Sequence, residues 1–229
     1  MADMQLVSLQ NVELRGKVRQ EGYSPEGDGN TQVARMTPRG ELVTSDLMQQ
    51  FVFDGRAYNV SNTARETALA SGASFSDTAP FALLYVPAGT TIIPLQIFLN
   101  TKVDDKTQTV LVTMSDKTRY TSGGTAHVPQ NLRFDEPKGS ACSFYSMGTA
   151  IVANSNTDDI TLVAYHAQIE DYNASGNWRT LEWTARRYIA PALVGPASLV
   201  IYHYGSDTMA VFFSIAWGEM GTDDFKRSI

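Results

Sequence analysis

Between residues 80 and 217 large apolar side chains recur at every second position, the spacing of strands with one buried face. Phe81, Leu83 and Tyr85 share a face of a first strand that stops at Pro87-Ala-Gly89. Ile93, Leu95, Ile97 and Leu99 share a face of the next, where Pro94 implies a strand start, an edge or a bulge. Val110, Val112 and Met114 alternate with Thr109, Leu111 and Thr113. The apolar run from Cys142 to Val152 is interrupted by Gly148, which predicts a bulge or bend. Ile160, Leu162 and Ala164 oppose Val163, Tyr165 and Ile169, and a shorter strand fits 179–183. The strongest pattern comes last. Leu199–Tyr204 and Met209–Trp217 read as a hairpin across Gly205-Ser-Asp-Thr208, the second strand with a bulky face (Met209, Val211, Phe213, Ile215, Trp217) and a mostly small one.

Before residue 80 the sequence is more punctuated. Met4, Leu6, Val7, Leu9, Val12 and Leu14 offer apolar surface enough for an anchoring segment, or for a strand or helix that returns to the domain's own sheet. Residues 15–32 carry only Val18 and Tyr23 as large apolar side chains. Burying each yields about 1.5–3 kcal/mol, against about 1–2 kcal/mol to order every residue's backbone, so this stretch is a linker or an arm that folds onto a partner. Residues 33–36 and 41–44 look like short strands around the turn Thr37-Pro-Arg-Gly40, and 47–53 like another closed by Asp54-Gly55. Thr63-Ala-Arg-Glu66 matches a capping box and Gly72 a stop, which predicts a helix over 64–71.

About eight strands with no helical period between them exclude parallel folds, whose crossovers need a dozen or more residues each. The expectation is an all-β protein, an antiparallel β-sandwich of jelly-roll type with an extended N-terminal arm. Residues 1–60 are expected to form the arm and short β segments, binding a partner or a neighbouring copy, and 61–229 the sandwich, with 115–140 and 170–178 as sheet-crossing loops.

Composition narrows the chemistry. A net charge of −6 without a Lys/Arg run argues against direct nucleic-acid binding, which needs a positive face to displace counterions. No apolar run approaches the roughly 20 residues of a membrane span, and the N-terminus lacks the pattern of a signal peptide, so a cytoplasmic site of synthesis is expected. Cys142, the single cysteine, sits in an apolar run and reads as a buried, inert thiol. His127, His166 and His203 are isolated; no His-x-His pair occurs, although His166 and His203 could meet in space. Motifs for zinc, a serine nucleophile or a phosphate loop are missing. Asp104-Asp105, Asp158-Asp159 and Asp223-Asp224 read as solvated turn carboxylates, with calcium binding as the alternative. Trp178, beside Asn173-Ala-Ser-Gly-Asn177, is the best candidate for an exposed aromatic anchor; most other aromatics are core. No catalytic, cofactor or metal residue is assigned, and an enzyme is not expected.

Pro80-Phe-Ala-Leu-Leu-Tyr-Val-Pro-Ala-Gly-Thr-Thr-Ile-Ile-Pro-Leu-Gln-Ile-Phe-Leu-Asn100 resembles the first core strands of viral jelly-roll domains, and Ser198–Glu219 their closing hairpin. Ala34-Arg-Met-Thr-Pro-Arg-Gly-Glu-Leu-Val43 is similar to segments of structural proteins of tailed bacteriophages. Together, these stretches resemble a capsid decoration (cement) protein of a tailed phage. The resemblance implies a homotrimer on the exterior of an icosahedral head, assembled in the host cytoplasm and bridging copies of the major capsid protein. A receptor- or glycan-binding fibre protein and a single-jelly-roll capsid protein are the alternatives, the latter disfavoured because the arm is not basic.

Overall fold

The computed structural model describes residues 47–62, 67–103, 108–135, 137–167, 177–205 and 208–223. The arm at 15–32, the strands expected at 33–36 and 41–44, the capping box at 63–66 and Asp104-Asp105 all lie outside them.

Two antiparallel sheets face each other. Sheet I contains β1 (Ala57–Ser61), β4 (Thr90–Val103), β7 (Gln130–Asn131), β10 (Asn177–Thr184) and β13 (Ala210–Gly221) in the order β10-β4-β13-β1-β7. The short β2 (Leu69–Ala70) pairs with β13, and β11 (Leu193–Val194) with β4. Sheet II contains β3 (Ala82–Val86), β5 (Gln108–Ser115), β6 (Tyr120–His127), β8 (Ser143–Ala153), β9 (Ile160–Ala167) and β12 (Ala197–Gly205), ordered β6-β8-β3-β12-β5-β9. The alternation seen in the sequence builds the core between them. Ile92, Ile97, Leu99, Val211, Phe213, Ile215 and Trp217 from sheet I meet Leu84, Val86, Val110, Val112, Leu199 and Ile201 from sheet II.

Several expectations change. The last two strands form where predicted, but they are not a hairpin: β12 pairs with β3 and β5, whereas β13 pairs with β4 and β1. Their connection crosses between sheets. Alternation determines which face is buried, and both strands bury a face in the same core whichever partners they take. Residues 47–53 form a helix, α1 (Leu47–Phe53), not a strand; Met48, Phe51 and Val52 pack on Ala57, Leu95 and Ala216 on the outer face of sheet I. Leu69-Ala70, predicted helical, forms β2. Residues 57–60, assigned by sequence to the N-terminal segment, belong to β1 inside sheet I. The stretch 115–140, read as a loop, contains β6 and β7.

Two irregularities follow the expected residues. At Pro94, β4 carries a bulge: Gln96 pairs with Ala216 and Pro94 with Trp217, so two steps on β4 match one on β13. Around Gly148, β8 goes from Ser146, opposite Thr125, to Ile151, opposite Gly123. Gly123 and Gly124 on β6 take φ of 74° and 75°, where a side chain would be strained. This end of the β6–β8 pair packs on the outer face of sheet II, where Ile151 and Ala153 meet Leu83, Val200 and Tyr202. Both faces of β12 are therefore covered, and Ala197 to His203 are all buried.

Candidate functional site

The most concentrated group of charges surrounds Arg119, between β5 and β6. The side chain is 1% exposed, yet it is fully paired. Its Nη2 donates to Asp77 Oδ1 at 2.8 Å and to the Tyr202 hydroxyl at 3.1 Å; Nη1 pairs with Asp159 Oδ2, and Nε donates to the Asn154 carbonyl. Tyr202, on the outer face of β12, donates to Asp77 Oδ1 at 2.9 Å. Ser155 Oγ and the Asn156 amide donate to Asp77 Oδ2. Burial raises the Asp77 carboxyl, but hydrogen bonds from Ser155, Arg119 and Tyr202 outweigh it and hold the group below the usual carboxylate range. Burial pushes the Tyr202 hydroxyl well up. Arg119 thus ties the segment before β3, the β8–β9 connection and β12 into one unit. Its donors are occupied within the protein, so the cluster is a structural clamp rather than a ligand seat.

The sequence reading missed Arg119 and Asp77, and took the Asp158-Asp159 doublet as solvated. Asp158 is 80% exposed, but Asp159 is only 7% exposed and faces Arg119. The doublet sits in the turn ahead of β9, which sends one carboxylate to solvent and the other to Arg119. Ion pairs between residues about forty positions apart leave no local signature.

A second polar group lies on sheet I. Glu219 on β13 accepts from Trp217 Nε1 at 2.8 Å, from the Ala141 amide at 3.0 Å and from the Ser140 hydroxyl. Tyr58 donates to the Gly139 carbonyl at 3.1 Å, and Asn131 Nδ2 to the carbonyls of Gly55 and Lys138. These bonds fasten the loop before β8 to sheet I. Cys142, at its end, is buried, and burial followed by the Glu219 charge raises its thiol far above the ordinary range. Its burial is what the apolar setting indicated.

His203 and His127 each lie against a hydroxyl. His203 lies on the inner face of β12, 2% exposed, with Nε2 2.8 Å from Thr101 Oγ1 on β4. His127 Nε2 is 2.6 Å from Ser146 Oγ. His166 pairs in register with Thr109, whereas His203 pairs with Val110, so the two occupy different rows. Among the described residues, no group of three or more His, Cys, Asp or Glu is placed to hold a metal ion, and no helix is long and apolar enough to cross a membrane.

Exposed apolar side chains occur in several places, Phe53, Val128 and Phe134 among them, and one stretch borders β9 and β10. Strands β9 and β10 are the terminal strands of sheets II and I, and a groove of about 370 Å³ opens between them. Leu162, Val163, Leu181, Trp183, Tyr188 and Ile189 line it. Ile189 is 94% exposed, Ile160 66% and Tyr188 55%. Trp178, the expected anchor, is 44% exposed and lies against Phe212, ring centroids 5.4 Å apart. Glu182 lines the groove as well, and Arg179, Arg186 and Arg187 are exposed on or after β10.

Compared with family models, curated proteins and solved structures, the chain has no match.

Proposed function

We propose that this is a structural virion protein: a capsid decoration (cement) protein that sits as a homotrimer on the exterior of a tailed-phage head and bridges copies of the major capsid protein. The observation that carries the reading is the apolar flank along β9 and β10. Large aliphatic and aromatic side chains left in water on a well-packed sandwich mark a protein interface. The buried charges, by contrast, are spent on internal ties.

Strand order adds support for the jelly-roll type. Taking β1, β3, β4, β5, β9, β10, β12 and β13 as eight successive strands, sheet I reads 6-3-8-1 and sheet II 2-7-4-5. This is the interleaving of two Greek keys wrapped into a sandwich, the architecture of many capsid domains. A trimer gripping several capsomers gains by avidity even where each contact is weak.

The test has two arms. Light scattering should give about 75 kDa, three times the chain mass of 25.1 kDa. Heads lacking the protein should rupture on heating or chelation before complete ones; equal survival would refute the cementing role.

A second reading, a fibre protein that binds a host glycan, draws on the aromatic patch outside sheet II. There Phe75, 48% exposed, lies against Tyr202 and Tyr204, and Tyr120 stacks on Tyr145 at 3.9 Å. Electron microscopy placing the protein at the tail would favour it.

A further inference from the structure

Tyr120 and Tyr145 are the one pair of tyrosines in ring contact among the described residues: the rings stack 3.9 Å apart and 7° from parallel. Strand register alone does not bring them together. Tyr120 stands opposite Ala153, at one end of the β6–β8 pair, and Tyr145 opposite Ala126, near the other. The bend makes the contact. Gly123 and Gly124, both at positive φ, and the irregular stretch of β8 facing them turn the far end of the pair back over the outer face of sheet II. A Cβ added at Gly124 would fall 3.1 Å from Cβ of Tyr145, so the chain passes close over that residue.

The two rings are held from separate anchors. Arg119, with its ties to Asp77 and Asp159, fixes the residue before Tyr120. Tyr145 sits inside the sheet, opposite Leu83 on β3 as well as Ala126 on β6. The Tyr120 hydroxyl donates to the Gly123 carbonyl at 3.0 Å. Burial and, after it, the adjoining Tyr145 phenol raise the Tyr120 pKa, which puts the two hydroxyls on the same side of the stack. The ring carbons beside one hydroxyl therefore lie near those beside the other. Both side chains are partly exposed, so an oxidant can reach them.

We infer that Tyr120 and Tyr145 are a site of oxidative modification, where a dityrosine bond latches the folded-over end of the β6–β8 pair to the sheet beneath it. The oxidant is of the peroxide class, acting through a haem peroxidase. Each phenol gives up one electron and its hydroxyl proton. The two radicals join through ring carbons ortho to oxygen, and the hydrogen on each of those carbons moves to the oxygen of its own ring. Hydrogen peroxide takes the two electrons and two protons and leaves as two waters. Ring contact replaces a diffusional encounter with a step inside one molecule. The bond between positions 120 and 145 then restricts the unfolded chain as a disulfide of that span does.

The experiment treats dilute full-length protein with hydrogen peroxide and a haem peroxidase. Mass spectrometry under denaturing conditions should show a single chain lighter by two hydrogens, with dityrosine fluorescence and fragmentation placing the bond between Tyr120 and Tyr145. Tyr120→Phe and Tyr145→Phe each keep the ring and remove one hydroxyl, so either should abolish that product with the circular dichroism unchanged. The cross-linked protein should unfold at a higher urea concentration than the untreated one, and treated Tyr120→Phe should show no such rise. Cross-links only between chains, oxidation of Tyr188 (55% exposed) with Tyr120 and Tyr145 left intact, or a product that survives both variants would overturn the site. An intramolecular bond with an unchanged urea midpoint would overturn the latch.

Discussion

Thr101 and His203 join the two sheets through the middle of the core: Oγ1 of the one lies 2.8 Å from Nε2 of the other, and both residues are at most 2% exposed. The other imidazole nitrogen, Nδ1, is buried without a hydrogen-bond partner among the described residues. Burial moves the His203 pKa from 6.5 down to about 4. The folded state thus binds its proton more weakly than the unfolded state, and stability is complete above pH 6.5 and falls as the pH drops towards 4. A shift of this size corresponds to roughly 3 kcal/mol at the acid end. Urea midpoints should therefore decline between pH 6.5 and 4.5 in the natural protein, and much less in His203→Leu. An equal decline in both would show that another group titrates.

Arg119 neutralises two carboxylates at once, and its replacement leaves both in place. Arg119→Met should cost about 3–5 kcal/mol, the range for breaking a buried ion pair from one side. Asp77→Asn should cost less, because Asp77 is 30% exposed and the amide retains hydrogen-bonding capacity. Chemical denaturation at pH 7 measures both. The Asp77 contribution has its own window: with the folded pKa depressed, it is present above pH 3.8 and lost as the pH falls further.

Two glycines with similar backbone angles should respond differently to alanine. Gly89 has φ 83° and nothing within 4 Å of an added Cβ, so Gly89→Ala should cost about 1–2 kcal/mol from the left-handed conformation alone. At Gly123, φ 74°, the Cβ would fall 2.1 Å from the Ala150 carbonyl oxygen, inside the β6–β8 pair. Gly123→Ala should therefore destabilise by several kcal/mol, or detach the overlying end of that pair, which protease sensitivity near residue 123 would reveal.

Cys142 should resist a thiol reagent such as a disulfide-exchange chromophore while the protein is folded. Its labelling rate should follow global unfolding and rise sharply past the urea midpoint, since the buried thiol beside Glu219 is not ionised near neutral pH. Fast labelling of the native protein would contradict the packing around this residue.

Where one face of a strand is buried, the sequence carried the information: Ile97 and Leu99 on β4, Val110 and Val112 on β5, and Phe213 and Ile215 on β13 all point inward as their alternation indicates. Bulges were legible too, because Pro94 lacks an amide hydrogen and Gly148 a side chain. Strand partners were not, because β12 and β13 bury their inner faces in one core from opposite sheets. Tyr120–His127 went unseen as β6 because Thr121-Ser-Gly-Gly-Thr125 has no apolar rhythm; its place follows from pairing with β8. The Leu47–Phe53 segment is apolar enough for either element, and the packing of Phe51 against Gly218 matches a helix lying on the sheet. Of the candidate surface, Trp178 was identified from sequence, whereas the groove was not, since it is made by two strands ending different sheets.

The crossing between β12 and β13 has a consequence for the order in which the molecule is completed. β12 stands between β3 and β5, and β13 between β4 and β1, so the final two long strands each fill the middle of a layer. Until synthesis has passed Gly221, β3 and β5 in one layer and β4 and β1 in the other wait with a gap at one side. A ribosome-bound chain ending before Ala197 holds two half-layers on each side and no continuous sheet, so it cannot reach the native arrangement stepwise from its beginning. Both sheets become continuous only when these two strands enter, which makes the pair the keystone of both halves.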